Sequence, residues 1–164
     1  MRVVIVGCSR VGAHLAKDLA EKGASVTVVD SKTEPLNLIG HDLPIQTVAG
    51  TGIDLDVLES AGTAEADVFV ALTDRDNLNL VSAQIAKQKF KVPKVIVRVY
   101  NPELKAFSEK LGLETYCPTV YTTDFIGRQI LGIPGRGTDL PDGLAPVEAT
   151  DRQVGRDFGQ GGDR

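Results

Sequence analysis

A chain of 164 residues with 42% hydrophobic and 24% charged residues has the composition of a folded globular domain. Its formal net charge is −4 and it holds no cluster of lysine or arginine, which argues against nucleic acid as the main partner, because phosphate binding needs a clustered basic surface. No apolar segment reaches the ~18 residues of a membrane span, and Cys8 and Cys117 stand apart from any Cys or His at metal-ligand spacing, so we expect a cytoplasmic protein without a metal site.

Short β-branched runs alternate with longer helical segments along the chain. The strand-like runs are RVVIV, SVTVVD, PIQTVAG, DVFVALT, PKVIVRV and ETYC. The helical segments between and after them are VGAHLAKDLAEKG, KTEPLNLIG, DLDVLESAG, DRDNLNLVSAQIAKQKF, NPELKAFSEKLG and PTVYTTDFIGRQILG. Strands that alternate with helices in this way need crossover connections, which give a mostly parallel sheet. The sequence thus predicts an α/β fold over residues 1–133, a Rossmann-type doubly wound sheet of six mostly parallel strands with helices on both faces.

Several of the predicted helices carry start signals or a clear apolar face. Asp54 and Asn101 precede helical runs and are predicted N-caps. Thr73 precedes a helix expected to begin at Asp74, so it is either the N-cap, a ligand contact, or both. The first helix is expected to turn one apolar face to the sheet, formed by Val11, Leu15, Leu19 and Ala20.

Residues 134–164 differ in composition from the preceding chain. They are rich in glycine, hold few bulky apolar side chains and show no sustained periodicity. Such a segment cannot bury a core of its own. We therefore expect a linker or flexible tail after residue 133.

The stretch VGCSRVGAHL joins the first predicted strand to the first predicted helix. Its pattern is G-x-S-x-x-G, formed by Gly7, Ser9 and Gly12, where a dinucleotide fingerprint has G-x-G-x-x-G. Gly7 permits the tight turn, and Gly12 lets the helix pack close to the sheet. Ser9 replaces the glycine that lets the backbone approach a pyrophosphate, but its hydroxyl can donate to a phosphate oxygen. Arg10 adds a positive charge at a helix N-terminus that already favours anions, so the stretch predicts a phosphate-binding turn.

Asp30 ends the second predicted strand, about 20 residues after the glycine turn, where a carboxylate accepts hydrogen bonds from both ribose hydroxyls of a bound nucleotide. The same carboxylate repels a 2′-phosphate, so NADP is disfavoured. Lys32 lies two residues further on. Its ammonium either neutralises Asp30, reaches a phosphate, or is simply solvated.

Ligands of open α/β sheets bind at the carboxyl ends of the strands. Besides the glycine turn, these ends carry Gly50 and Thr51 after the third strand and Leu72 and Thr73 after the fourth. Arg98 ends the fifth strand, where a charge in an apolar run needs a partner. A phosphate or an acidic side chain would serve.

These residues together give the chain a resemblance to the N-terminal RCK domain, also called the KTN or TrkA-N domain, a family that regulates potassium channels and transporters. The matching segments are VVIVGCSRVG, VTVVDSK, AGTGIDLDVLESAGTAEADVFVALTDRDNLNLVSAQIAK, KVIVRVYNPE and EKLGLETYCPT. They span about residues 1–130 in order, and the stretch ending in ADVFVALTDRDNLN is the most specific. The likeness is closest to regulatory subunits of Trk/Ktr-type potassium uptake systems.

The resemblance also implies a set of nucleotide contacts. These fall on Gly7, Ser9, Arg10, Val11, Gly12, Asp30, Ser31, Thr51, Leu72, Thr73, Asn79 and Arg98. Ser9 stands where the family usually has glycine, and Thr51 where it often has Asp or Asn near the adenine. The ligand is accordingly expected to be NAD, NADH, ATP, ADP or AMP.

By the same resemblance, the protein is a cytoplasmic regulatory subunit peripheral to the inner face of the membrane. It forms a homodimer that assembles into a higher-order ring, with itself or with a second RCK protein. Ligand-dependent changes of that ring gate a potassium-translocating membrane subunit. Full-length family members often carry a second, C-terminal RCK subdomain, and DRQVGRDF resembles the opening of one, so we expect a fragment of a longer protein rather than a single-lobe version.

The last predicted helix carries an apolar set that either contacts a partner subunit or packs on its own domain: Val120, Phe125, Ile126, Ile130 and Leu131. Two other functions stay open. One is an NAD-dependent oxidoreductase, although no substrate lobe follows residue 133 and no suitably spaced Tyr and Lys pair appears. The other is a nucleotide-binding regulator of a different membrane transporter.

Overall fold

Six strands, six helices and one 3-10 turn (Thr63–Glu65) form the part of the chain that the computed structural model describes, residues 1–37, 39 and 43–133. The strands are β1 (Arg2–Val6), β2 (Ser25–Asp30), β3 (Ile45–Ala49), β4 (Val68–Ala71), β5 (Lys94–Arg98) and β6 (Glu114–Tyr116). The helices are α1 (Arg10–Glu21), α2 (Thr33–Asn37), α3 (Leu55–Ser60), α4 (Asp76–Gln88), α5 (Pro102–Lys110) and α6 (Pro118–Leu131). The predicted linker at 134–164 lies outside the described residues.

All six strands pair in parallel, in the order β3-β2-β1-β4-β5-β6. The predicted doubly wound fold is therefore confirmed. The chain leaves β1 in one direction to build β2 and β3, then returns to the other side of β1 to build β4, β5 and β6. The order reverses between β1 and β4, and this reversal places a crevice at their carboxyl ends.

The two faces of the sheet are both covered, as the continuous apolar strand runs require. On one face Val4 and Phe69 pack with Leu58 of α3 and with residues of α4. On the other face Ile5 and Val28 pack with residues of α1 and α2. The four inner strands β1, β2, β4 and β5 are largely buried, whereas the edge strands β3 and β6 hold no buried residue. Because all six strands run parallel, their carboxyl ends meet at one edge.

Asp54 and Asn101 cap their helices as predicted. The Asp54 carboxylate accepts a hydrogen bond from the backbone N–H of Asp56 at 2.9 Å. The Asn101 side-chain oxygen accepts one from the N–H of Glu103 at 2.9 Å. Each cap satisfies an N–H that has no partner inside its own helix.

The predicted apolar face of α1 is wrong at its first member. Val11 is 55% exposed, because it lies in the first turn of the helix, beyond the end of β1 at Val6. Leu15 and Leu19 are half-buried and pack on the sheet, and Ala20 is buried. The buried residues of α1 are all small: Gly12, Ala16 and Ala20.

The predicted start of α4 at Asp74 is also wrong, since the helix begins at Asp76. The N-cap position belongs to Arg75, which makes no side-chain capping bond. Thr73 therefore does not cap the helix. A contact with Asn79, described below, holds its hydroxyl instead.

Every residue of α6 is exposed or half-buried. The apolar set predicted on this helix is exposed throughout: Val120 by 36%, Phe125 and Ile126 by 50%, Ile130 by 77% and Leu131 by 72%. The alternative that these side chains pack on their own domain is therefore wrong within residues 1–37, 39 and 43–133. Over the same residues, no helix is long and apolar enough to cross a membrane.

Candidate functional site: the crevice at the β1–β4 reversal

The loops that follow β1 and β4 touch at the point where the strand order reverses. Gly7 has a φ of +109°, and a Cβ there would lie 2.8 Å from the backbone nitrogen of Thr73 and 2.9 Å from the carbonyl carbon of Leu72. Only glycine combines this backbone conformation with so close an approach. The glycine turn and the β4–α4 loop thus form two walls of one crevice.

Ser9 is the N-cap of α1, where its hydroxyl oxygen accepts a hydrogen bond from the N–H of Gly12 at 3.4 Å. This role explains how serine fits where the fingerprint has glycine, since an N-cap favours serine. Because the oxygen acts as acceptor in this bond, the hydroxyl proton stays able to donate to an anion. Arg10 follows as the first helical residue and is exposed.

Gly12 packs on the glycine turn more closely than on the sheet. A Cβ at Gly12 would lie less than 3.0 Å from the carbonyl oxygen of Gly7, and 3.8 Å from the side chain of Ile5 in the sheet. The glycine is therefore required by the turn itself, and the expected contact with the sheet is the looser of the two.

Asp30 ties the glycine turn to the end of β2. One carboxylate oxygen accepts the backbone N–H of Cys8 at 2.7 Å, and the other accepts the N–H of Lys32 at 2.9 Å. The Lys32 side chain is exposed, and its backbone N–H, rather than its ammonium, meets the carboxylate. Each carboxylate oxygen keeps acceptor capacity for a further donor.

Cys8 lies buried beneath this carboxylate and donates its thiol proton to the carbonyl oxygen of Pro35 at 3.2 Å. Burial raises the pKa of the Cys8 thiol, and the negative charge of Asp30 raises it further. The group is therefore a neutral thiol that packs and donates, in a position where a thiolate would be repelled.

Asn79 holds Thr73 from behind the crevice. Its side-chain oxygen accepts the Thr73 N–H at 2.9 Å and the Thr73 hydroxyl at 2.5 Å. Its side-chain nitrogen donates to the carbonyl oxygens of Thr73 at 2.8 Å and Arg98 at 2.9 Å. Asn79 is completely buried, so this network joins the ends of β4 and β5.

Arg98 is 5% exposed and its partners are carbonyl oxygens rather than the acidic side chain offered as one alternative by the sequence. Its guanidinium donates to the carbonyl of Leu72 and, at 3.1 Å, to that of Thr73. The ring of Tyr100 lies 4.9 Å below the guanidinium carbon, a cation–π distance. The Nε of Arg98 has no hydrogen-bond partner within the described part of the chain.

The end of β3 closes the crevice on the side of β2. Gly50 donates its N–H to the carbonyl of Asp30 at 2.9 Å, and a Cβ at Gly50 would meet the side chain of Val57 at 2.5 Å. Thr51 is half-buried, and its carbonyl accepts the N–H of Asp54. These bonds hold the β3–α3 loop beside Asp30.

The strand ends therefore bring most of the predicted residues to one edge of the sheet. Exposed members of the predicted set are Arg10, Val11, Ser31 and Lys32; half-buried members are Ser9, Asp30, Gly50, Thr51 and Thr73; buried members are Gly7, Gly12, Leu72, Asn79 and Arg98. The exposed and half-buried members are those with surface to offer a ligand.

Two contributors, Gly52 and Asp76, escaped the sequence reasoning. Gly52 is buried against β1, and a Cβ there would collide with the side chain of Val6. Asp76 accepts the backbone N–H groups of Tyr100 and Asn101 at 2.8 and 2.9 Å, which fixes the β5–α5 loop. A second glycine two residues after Gly50 was the available signal for Gly52, whereas the partners of Asp76 are 24 and 25 residues away along the chain.

A parallel sheet with a glycine turn opening α1, an acid ending β2 and a crevice at the strand reversal defines a Rossmann-type domain. Residues 3–117 match the family model described as the TrkA-N domain. The chain belongs to the TrkA-N family.

Two curated relatives of similar sequence carry the same name. Trk system potassium uptake protein TrkA of Streptomyces coelicolor is 35% identical over 147 residues, which cover 90% of this chain and 62% of the relative. The TrkA of Halomonas elongata is 38% identical over 99 residues, 60% of this chain and 22% of the relative. This chain thus spans less than two thirds of the length of either.

Among solved structures, the Shewanella denitrificans Kef CTD in AMP bound form superposes with a TM-score of 0.69 at 20% identity, covering 84% of both chains. The GsuK channel bound to NAD superposes with a TM-score of 0.68 at 18% identity, covering 79% of this chain and 23% of the other. At these identities the likeness shows the shared fold.

Proposed function

We propose that this domain is a nucleotide-sensing regulatory unit of a potassium transporter or channel. The observation that carries the proposal is the crevice in which Gly7, Asp30 and Thr73 meet at the strand reversal. Its support comes from two directions: relatives of the same family are named as potassium uptake proteins, and the crevice has the chemistry of an adenine-nucleotide site.

The ribose end of the ligand is assigned to Asp30. Two backbone N–H groups hold its carboxylate in place, and a pre-oriented carboxylate accepts the two hydroxyls of a ribose diol without reorganising. A 2′-phosphate would bring two negative charges together, so NADP is disfavoured. NAD, NADH, ATP, ADP and AMP all carry the free diol.

The phosphate end is assigned to the N-terminus of α1. Ser9 offers its hydroxyl proton, and the first helical N–H groups offer partial positive charge that favours anions. Arg10 is exposed at the same place. The proposed site as a whole comprises Gly7, Ser9, Arg10, Val11, Gly12, Asp30, Ser31, Lys32, Gly50, Thr51, Leu72, Thr73, Asn79 and Arg98.

The output of the domain is assigned to α6. Its exposed apolar side chains would be covered in a homodimer that assembles into a ring on a potassium-translocating membrane subunit at the inner face of the membrane. A nucleotide biases such a ring only through a difference in its affinity for two ring shapes. In this proposal residues 1–133 form the sensing domain and 134–164 the linker that follows it.

Binding without turnover separates this function from an NAD-dependent oxidoreductase. The relatives are named for uptake rather than catalysis. A regulator holds NADH unchanged, whereas an oxidoreductase consumes it with a small substrate, which NADH absorbance reports.

The experiment is a titration of the purified chain with NAD, NADH, NADP, ATP, ADP and AMP, followed by melting temperature and by calorimetry. A ligand that binds only the folded state raises the melting temperature. We expect Asp30→Ala to weaken ligands with a free diol by about 1–3 kcal/mol, as for loss of a charged hydrogen-bond partner. Asp18→Ala, which removes the same charge from an exposed position on α1, is the control.

Two results would contradict the proposal. One is a wild-type chain whose melting temperature responds to none of the six nucleotides. The other is an Asp30→Ala variant that stays folded and binds them as tightly as the Asp18→Ala control does.

A further inference from the structure

The amide of Asn79 has no capacity left for a ligand. It makes four hydrogen bonds, three of them to Thr73 and one to the carbonyl of Arg98, and the residue is completely buried. The two carbonyl acceptors fix the nitrogen on one side and the Thr73 N–H fixes the oxygen on the other. The orientation of the amide is therefore set by its partners.

We infer that Asn79 is a positioning residue, which acts on a bound nucleotide only through Thr73. This inference rests on the proposed function for its ligand, and it differs from the direct contact that the family resemblance implies. The Asn79 side chain hydrogen-bonds the backbone N–H, the backbone carbonyl and the hydroxyl of Thr73. It thereby fixes the backbone after β4, against which Gly7 packs.

These hydrogen bonds determine what Thr73 can offer to the crevice. The hydroxyl proton goes to Asn79 Oδ1 at 2.5 Å in preference to the carbonyl of Arg75 at 3.3 Å, and the backbone N–H goes to the same Oδ1 at 2.9 Å. Thr73 is half-buried, and its hydroxyl oxygen also accepts the backbone N–H of Arg75 at 3.3 Å, which leaves that oxygen able to accept one further hydrogen bond. Its wall of the crevice therefore selects a ligand hydroxyl or amino group and disfavours a phosphate oxygen.

The test combines Asn79→Ala with Thr73→Val, which removes the hydroxyl while keeping the shape of the side chain. Calorimetry with AMP measures both single variants and the double variant. We expect each single variant to bind AMP about tenfold more weakly, the effect of about one hydrogen bond. The double variant should bind no more weakly than the weaker single variant, because both changes remove the same interaction.

Ala83→Gly is the matched control for stability. Ala83 is completely buried on the same helix, so glycine there loosens α4 without touching the crevice. This variant should melt at a lower temperature and bind AMP as the wild type does. A comparable loss of AMP affinity in Ala83→Gly would overturn the inference, because destabilising α4 would then be enough to weaken AMP binding without any change at Asn79.

A second measurement needs no ligand. Amide hydrogen exchange at Thr73 should accelerate at least tenfold in Asn79→Ala, relative to wild type and Ala83→Gly, since the N–H loses its acceptor. Unchanged exchange, or losses of affinity in the two single variants that simply add, would overturn the positioning role. If the wild type binds no nucleotide, the proposed function fails and the exchange rate alone decides the role of Asn79.

Discussion

The backbone carbonyl oxygen of Gly7 occupies the space that a side chain on Gly12 would need. A Cβ on Gly12 would lie within 3.0 Å of the Gly7 oxygen, a distance that side chains do not adopt. The first turn of α1 therefore packs directly against the backbone of the turn that follows β1.

Replacing Gly12 with alanine should destabilise the fold by about 1–3 kcal/mol, the usual cost of overpacking. Gly127→Ala is the matched control, because a Cβ at that helical glycine would meet nothing within 4 Å. The control should gain up to about 1 kcal/mol from helix propensity. Urea unfolding measures both, and equal stabilities for the two variants would contradict the contact between Gly12 and Gly7.

Arg10→Ala should weaken ATP more than AMP, because Coulomb attraction grows with the charge of the ligand. Lys22→Ala removes the same charge from the other end of α1, where the residue is exposed, and should leave both affinities unchanged. Calorimetry at two salt concentrations measures the difference, which should shrink as salt increases. Equal losses for ATP and AMP would remove Arg10 from the phosphate end.

Asp76→Ala should lower the free energy of unfolding by about 1–2 kcal/mol, since two backbone N–H groups of the β5–α5 loop lose their charged acceptor. Asp74→Ala makes the same change of charge at an exposed position two residues earlier and should be nearly neutral. Urea unfolding compares the two. A neutral Asp76→Ala would mean that water replaces the carboxylate at no cost.

The stability of the protein should fall at alkaline pH through Cys8. Burial first, and Asp30 second, raise the pKa of its thiol above the ordinary value. A group whose pKa is raised by folding stabilises the folded state below its ordinary pKa, and that stability is lost as the pH rises through the raised value. Cys8→Ser does not titrate there, so its unfolding free energy should decline less between about pH 8 and pH 10. Parallel pH profiles for the two proteins would contradict this.

Ile126→Glu should shift the chain toward monomer, because the exposed apolar side chains of α6 are proposed to meet a second subunit. The fold should tolerate the change, since Ile126 is 50% exposed. Gln129→Glu adds the same charge at a neighbouring exposed position of the helix and is the control. Light scattering during gel filtration reports the mass. An equal mass for wild type and Ile126→Glu would place the interface elsewhere.

The elements and the acid at the end of β2 could be predicted because their signals are local. Six apolar runs separated by helical periods suffice for the sheet, and Asp30 follows from its spacing to the glycine turn. N-caps at Asp54 and Asn101 were equally local, since each side chain bonds an N–H two residues away.

Tertiary hydrogen bonds account for the wrong prediction at Thr73 and for the partners of Arg98 and Asp76 that the sequence did not show. Thr73 carries the signature of a cap, but its hydroxyl is bound by Asn79 and the helix starts later. Arg98 ends an apolar strand whose sequence shows no partner for its charge, yet two carbonyl oxygens from the loop after β4 accept hydrogen bonds from its guanidinium. Such partners lie six to 26 residues apart along the chain and leave no periodic trace.

The position of α6 has a mechanical consequence. The helix starts beside the buried Cys117 at the edge of the sheet and runs for 14 residues, which is about 21 Å at the rise of an α-helix. A tilt of about 10° at its base would sweep its far end through about 4 Å, the scale of a helix-register shift between subunits. A change at the strand ends too small to alter the sheet would in that way reach a neighbouring molecule as a much larger displacement.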